Sequence, residues 1–148
     1  MVSMKEVTVT AVSKSTETDN AQEHPMYDAQ PAAGFPSPGD DLVEQPLDLN
    51  DLMIDNPTST FFVRVQGDSM EGARIFDGDV LVIDRAVQAR EGMIVVAAIN
   101  GELVVKRLQK TRTGIALVSE NTDYAPILVD DVEGVHIWGV VTGSARVF

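Results

Sequence analysis

From Thr60 onward the chain repeats one kind of patterning: a short run rich in Val, Ile and Leu, then a turn. The runs are Phe61–Gln66, Val80–Asp84, Met93–Ile99, Leu103–Leu108, Ile115–Ser119, Ile127–Val129 and Val135–Thr142. Apolar runs this short, bounded by turn-forming residues, read as strands. Between the third and fourth stands Asn100-Gly101, a pair that tolerates the positive φ angles of a type I′ turn, so these two strands are expected to pair antiparallel. Aromatics are only 5% of the 148 residues while hydrophobic residues are 44%, which leaves a core of mainly aliphatic side chains. The expected fold is mainly β, a small curled sheet with an added helix. Pattern alone does not choose between an open and a closed barrel.

Ahead of this body lies a different composition. Residues 1–33 carry polar runs such as Ser13-Lys14-Ser15-Thr16-Glu17-Thr18-Asp19-Asn20, with little to bury, and read as a mobile arm. Within it, Val7-Thr8-Val9-Thr10-Ala11-Val12 alternates with the period of a strand and needs only a sheet edge to become one. The stretch Pro31-Ala32-Ala33-Gly34-Phe35-Pro36-Ser37-Pro38-Gly39 is expected to be extended, free of helix and accessible, and on composition alone it is an ordinary linker. After it, Leu47 to Asp55 places Leu49, Leu52 and Met53 on one face, with Asp48 as N-cap and Asn56-Pro57 as a stop, so one short helix is expected.

Charge and composition exclude several functions. Eleven Lys plus Arg against 23 Asp plus Glu give a formal charge of −12, which repels phosphate backbones, so little direct DNA binding is expected. The absence of cysteine rules out disulfides, thiolate metal sites and a Cys nucleophile. The longest apolar stretch, Met93–Ile99, falls far short of the roughly 20 residues of a membrane helix, and no signal segment is apparent, so a soluble cytoplasmic protein is expected. No Gly-rich phosphate cradle or metal-spaced His pair is present, and Asp77-Gly78-Asp79 is better explained as a β-turn than as a calcium loop. Asp130-Asp131-Val132-Glu133 reads as a solvated loop. Neither cofactor nor metal is expected.

Catalytic chemistry has one candidate locus. In Gly67-Asp68-Ser69-Met70-Glu71-Gly72 a strand runs into a Gly-flanked turn that presents a serine, with backbone N–H groups around it. A serine hydroxyl needs a base. His24 lies on the arm, and His136 alternates with apolar neighbours as a structural strand residue. Lys106 differs, since in Glu102-Leu103-Val104-Val105-Lys106-Arg107-Leu108 it shares a face with Val104 and Leu108 and is expected to be partly buried. Burial disfavours the charged ammonium and favours the neutral amine that can take a serine proton. A Ser-Lys dyad is therefore possible, although pattern alone favours a turn serine and a snorkelling lysine.

Gly34-Phe35-Pro36-Ser37-Pro38, Gly67-Asp68-Ser69-Met70, Asp77-Gly78-Asp79, Val104-Val105-Lys106-Arg107-Leu108 and Glu120-Asn121-Thr122-Asp123-Tyr124-Ala125-Pro126-Ile127 occur in this order as in UmuD proteins. From about Gly34 to Val141 the chain resembles the UmuD branch of the LexA-like self-cleaving peptidases. That resemblance implies a curled β-sheet peptidase domain over residues 34–148 and an N-terminal arm, residues 1–33, removed by self-cleavage. It matches Ser69 to the nucleophile, Lys106 to the general base, the backbone N–H groups of Asp68 and Ser69 to the oxyanion site, and Ala33–Gly34 to the scissile bond. Ala33 stands where the best-known UmuD pattern has cysteine, but Ala-Gly is the LexA-type bond. The arm is several residues longer.

The resemblance further implies a homodimer, cleavage stimulated by a RecA filament on single-stranded DNA, and, after trimming, service to a UmuC-like translesion polymerase in the SOS response, with the replicative sliding clamp as a further partner. Two alternatives compete. One is a non-catalytic polymerase or clamp adaptor that keeps the fold; the other is a LexA-like repressor, which thirty-three polar residues do not equip with a helix-turn-helix domain. A signal-peptidase-like enzyme ranks last for want of a membrane anchor.

Overall fold

A computed structural model describes residues 6–15, 46–120, 124–129 and 134–148. The chain divides into two units, Thr16–Asp55 and the remainder. Within the first, helix α1 (Leu49–Met53) begins where expected, because the Asp48 carboxylate accepts from the Asn50 N–H at 2.8 Å and caps the first turn.

The second unit is one antiparallel sheet. Its strands are β1 (Thr8–Lys14), β2 (Thr60–Gln66), β3 (Val80–Asp84), β4 (Ile94–Ile99), β5 (Glu102–Thr111), β6 (Gly114–Val118), β7 (Ile127–Leu128) and β8 (His136–Ala145). They lie in the order β1-β2-β3-β8-β4-β5-β6-β7, and β1 also bridges β5 through Thr8 and Val104. That bridge closes the strands from β1 round to β5 into a ring of six, with β6 and β7 continuing the sheet beyond it. The question that pattern left open is thus answered by a curled sheet closed at one seam.

Each of the seven runs anticipated from Thr60 onward is a strand. Asn100 and Gly101 take φ angles of 52° and 79°, and Ile99 pairs with Glu102, as a two-residue I′ hairpin requires. The alternation at the N-terminus finds its edge too: β1 runs antiparallel to β2 from Thr8 opposite Gln66 to Lys14 opposite Phe61, with one register shift between Val9 and Ala11. Polar composition predicted mobility for this arm, but residues 8–14 are laddered to β2 and Val7 is buried, so this part of it is anchored.

Two apolar clusters form the core, one containing Val63, Val65, Met70, Leu81, Ile83 and Val105, the other Val95, Ala97, Val104, Leu108 and Leu117. Between β8 and β3 the packing admits no side chain at Gly139. A Cβ there would lie 2.5 Å from Ile83 Cγ2, on a fully buried side chain. Gly139→Ala is therefore expected to lower unfolding stability by about 1–3 kcal/mol, read from urea denaturation.

Two carboxylates brace the rim of the sheet. Asp79, buried just ahead of β3, accepts from Arg146 Nε at 2.7 Å and Nη2 at 2.9 Å, and from the Phe76 N–H. The Arg146 guanidinium holds its carboxyl below the ordinary 3.8. At Asp84 burial pushes the other way, but hydrogen bonds from Asn56, Ser59 and the Ala86 N–H outweigh it, and this group also lies below 3.8. Carboxylates more acidic in the folded than in the unfolded chain stabilise the fold fully above the unfolded value and lose that contribution as pH falls through the folded one. The melting temperature is expected to hold down to about pH 5 and to drop below about pH 4, with a smaller drop in Asp84→Asn.

Candidate active site

Ser69 stands where the chain leaves β2. Gly67, at φ 118°, makes the turn, and its N–H donates to Asp77 Oδ1 at 2.9 Å. A 3-10 turn at Glu71–Ala73 follows and ends in the left-handed Arg74, with the Ile75 N–H returning to the Met70 carbonyl. Met70 and Ile75 are both buried in the core, so the segment is pinned on each side of Ser69. Gly72 lets this turn close on the loop after β6, since a Cβ there would meet the Glu120 carbonyl at 3.0 Å. Ser69 is left fully buried.

Lys106 sits in the middle of β5, between Val105 and Arg107, with Val95 of β4 as its backbone partner. Only 1% of it is exposed, so it is buried more deeply than the sequence suggested. Its ammonium is satisfied nonetheless. Nζ donates to the Glu6 carboxylate and, at 2.8 Å, to Ser119 Oγ, and it stands 5.6 Å from the centre of the Tyr124 ring. A buried ammonium without such partners would be costly.

The two candidate groups are spanned by one dipeptide. The Val7 N–H donates to Ser69 Oγ at 2.9 Å, the Val7 carbonyl accepts from the Val105 N–H at 3.0 Å, and the Glu6 side chain takes Lys106. Extended backbone of the chain itself therefore lies along the seam between β2 and β5, touching serine and lysine at adjacent residues. Among the described residues Ser69 and Lys106 make no direct hydrogen bond in this arrangement. A serine hydroxyl and a buried lysine amine beside an extended peptide are the parts that acyl transfer needs.

Sequence reasoning found Ser69 and Lys106 but missed their neighbours. Ser119 was within reach of it: the β5–β6 register pairs Arg107 with Val118, and one step further sets Ser119 opposite Lys106. Glu6 carried no comparable sign, because nothing in its sequence position links it to a residue a hundred positions away. The Ala33–Gly34 bond and His24 lie outside the described residues, as do Asp130, Asp131, Val132 and Glu133. His136 is exposed at the start of β8, while Asp77 and Asp79 brace the backbone as the turn reading anticipated. Among the described residues no group of three or more His, Asp or Glu is placed to hold a metal ion, and no helix is long and apolar enough to cross a membrane.

Comparison with known proteins bears on this geometry. The profile described as Peptidase S24-like matches residues 25–142, a span that includes Ser69, Lys106 and Ala33–Gly34. Protein MucA of Salmonella typhimurium is 47% identical over 121 residues, covering 81% of this chain and 82% of its own length. Protein ImpA of Shigella flexneri is 42% identical over 125 residues, 84% of each chain. A LexA repressor from Shewanella oneidensis is 37% identical over 131 residues, 88% of this chain and 63% of the repressor.

Proposed function

Since the chain belongs to the Peptidase S24-like family, whose members cut themselves, we propose that it is a self-cleaving serine peptidase of SOS mutagenesis that hydrolyses its own Ala33–Gly34 bond with Ser69 and Lys106. The observation that carries the reading is the extended backbone of the chain's own N-terminus laid across Ser69 and Lys106. A site that accepts its own chain as a strand is suited to a substrate supplied in cis or by a second copy.

In the proposed reaction neutral Lys106 takes the proton from Ser69 Oγ as that oxygen attacks the Ala33 carbonyl carbon. Backbone N–H groups of Asp68 and Ser69 stabilise the oxyanion. Collapse breaks the C–N bond, and the Lys106 ammonium returns its proton to the Gly34 amine. Water, deprotonated by Lys106, then hydrolyses the acyl-serine ester and frees residues 1–33. Residues 34–148 remain as the trimmed product, the β-rich domain. Because only the neutral amine accepts a proton, cleavage rises with pH.

The role extends to partners. The trimmed chain acts as a homodimer with a UmuC-like translesion polymerase, with the sliding clamp as a further contact, in the cytoplasm. A RecA filament on single-stranded DNA stimulates the cut by favouring the conformation in which Ala33–Gly34 occupies the site. Intact-mass spectrometry tests the core of this reading. Incubation at neutral and alkaline pH, then with an activated RecA filament, is expected to convert the 148-residue chain into residues 1–33 and 34–148, faster with each change. A chain that stays whole under all three conditions removes the assignment.

A further inference from the structure

The dipeptide on the candidate site is not the bond proposed to be cut. Val7 N–H on Ser69 Oγ at 2.9 Å puts the nitrogen of the Glu6–Val7 peptide where the leaving nitrogen of a scissile bond belongs. The Val7 carbonyl is fixed by the Val105 N–H, and the Val7 side chain, 1% exposed, fills the apolar cluster that contains Val65, Met70 and Val105. The segment is therefore bound as a substrate strand is bound, antiparallel to an exposed edge, with main-chain hydrogen bonds and one buried anchor. What differs is the residue ahead of the bond. The Glu6 carboxylate takes up the Lys106 Nζ, the atom that a serine proton would have to reach.

We propose that residues 6–14 are an internal competitive inhibitor of the catalytic groove: β1 occupies the strip that the Ala33–Gly34 segment needs, and Glu6 disarms Lys106 while β1 is there. The inference rests on the peptidase reading and adds its regulation. One groove cannot hold two strands, so cutting starts only from the fraction of molecules in which β1 has left. The fold permits that departure. β1 is paired along its length only with β2, meets β5 at its start alone, through Thr8 and the Val7 carbonyl, and from Thr10 to Lys14 is exposed. A strand laddered on one side, with most of its residues exposed, opens before the core unfolds. The same geometry sets a requirement on the true substrate: the residue before the bond must leave Lys106 free, which the methyl group of Ala33 does and a carboxylate does not.

The test uses full-length chains and follows cleavage at alkaline pH by intact mass. Glu6→Gln keeps a similar side chain at a partly exposed position and removes the carboxylate charge that faces Lys106. Val7→Asp places a carboxylate in the buried anchor site and expels β1. Both are expected to cut Ala33–Gly34 faster than wild type, by about 3- to 10-fold if the open fraction is the limiting quantity. A synthetic peptide of residues 5–15 is expected to slow Val7→Asp again, and the same peptide with Val7→Asp is not. If wild type cuts and both variants cut no faster, the inhibitor is overturned while the peptidase stands. If no chain cuts, the assignment of Ser69 and Lys106 falls instead, and amide exchange decides the strand: the Val105 N–H is expected to exchange faster in Val7→Asp than in wild type, and equal exchange overturns the occupancy.

Discussion

Ser69→Ala is expected to stay a single 148-residue species through incubations that cut the wild type, a loss of at least about 10³-fold in rate. The substitution deletes one oxygen from a fully buried residue, and that oxygen's described partner is the Val7 N–H. No volume is added, and Met70 and Ile75 still anchor the turn on the core, so the variant is expected to fold. Its cost is one buried amide left without an acceptor, about 1–3 kcal/mol. Intact mass separates the outcomes at once. A fragment beginning at Gly34 in Ser69→Ala would move the nucleophile elsewhere, and a whole chain in both proteins would remove the reaction.

Lys106 allows activity and stability to be pulled apart. Lys106→Ala empties a fully buried position in the middle of β5, and the cavity is expected to cost about 2–4 kcal/mol. Glu6, which loses its partner, is partly exposed and can turn to water. Lys106→Met keeps most of the volume with no charge to desolvate. Replacing a buried ion by an apolar side chain of similar size is often neutral or stabilising, so this variant is expected to melt at or above the wild-type temperature. Both are expected to be without cleavage activity, since neither offers an amine. Cleavage by Lys106→Met at the wild-type rate would end the general-base role, and a collapse of Lys106→Met to the stability of Lys106→Ala would show that the ion pair, and not the packed volume, holds β5 in place.

Strands were legible because each has its own turn: Asn100-Gly101 set the β4–β5 register, and runs such as Val80–Asp84 carry their periodicity locally. The helix announced itself through Asp48, one residue before its start. Long-range relations were not legible in this way. No local pattern says that β1 pairs with β2 some fifty residues on, or that Thr8 meets Val104, because those pairings follow from the closure of the sheet and not from any stretch of chain. Ser69 and Lys106 sit in between: the turn that holds the one and the strand that holds the other were readable, but the case for joining them came from motifs held in common with the UmuD proteins. Glu6 was invisible for the same reason as the seam, since its place follows from where β1 docks.

The seam changes what the proposed hydrolysis would accomplish. Val7 and β1 are held to the sheet by a hydrogen-bond ladder and one buried side chain, none of which involves the bond between Ala33 and Gly34. Breaking that bond, as proposed, removes none of these contacts, so the arm can dock again. Cleavage converts a tethered strand into a bimolecular ligand, whose occupancy then obeys mass action: low when the protein is dilute, high when it is crowded with its own released arms. The chemical step and the physical release thereby become separate events with separate concentration dependences.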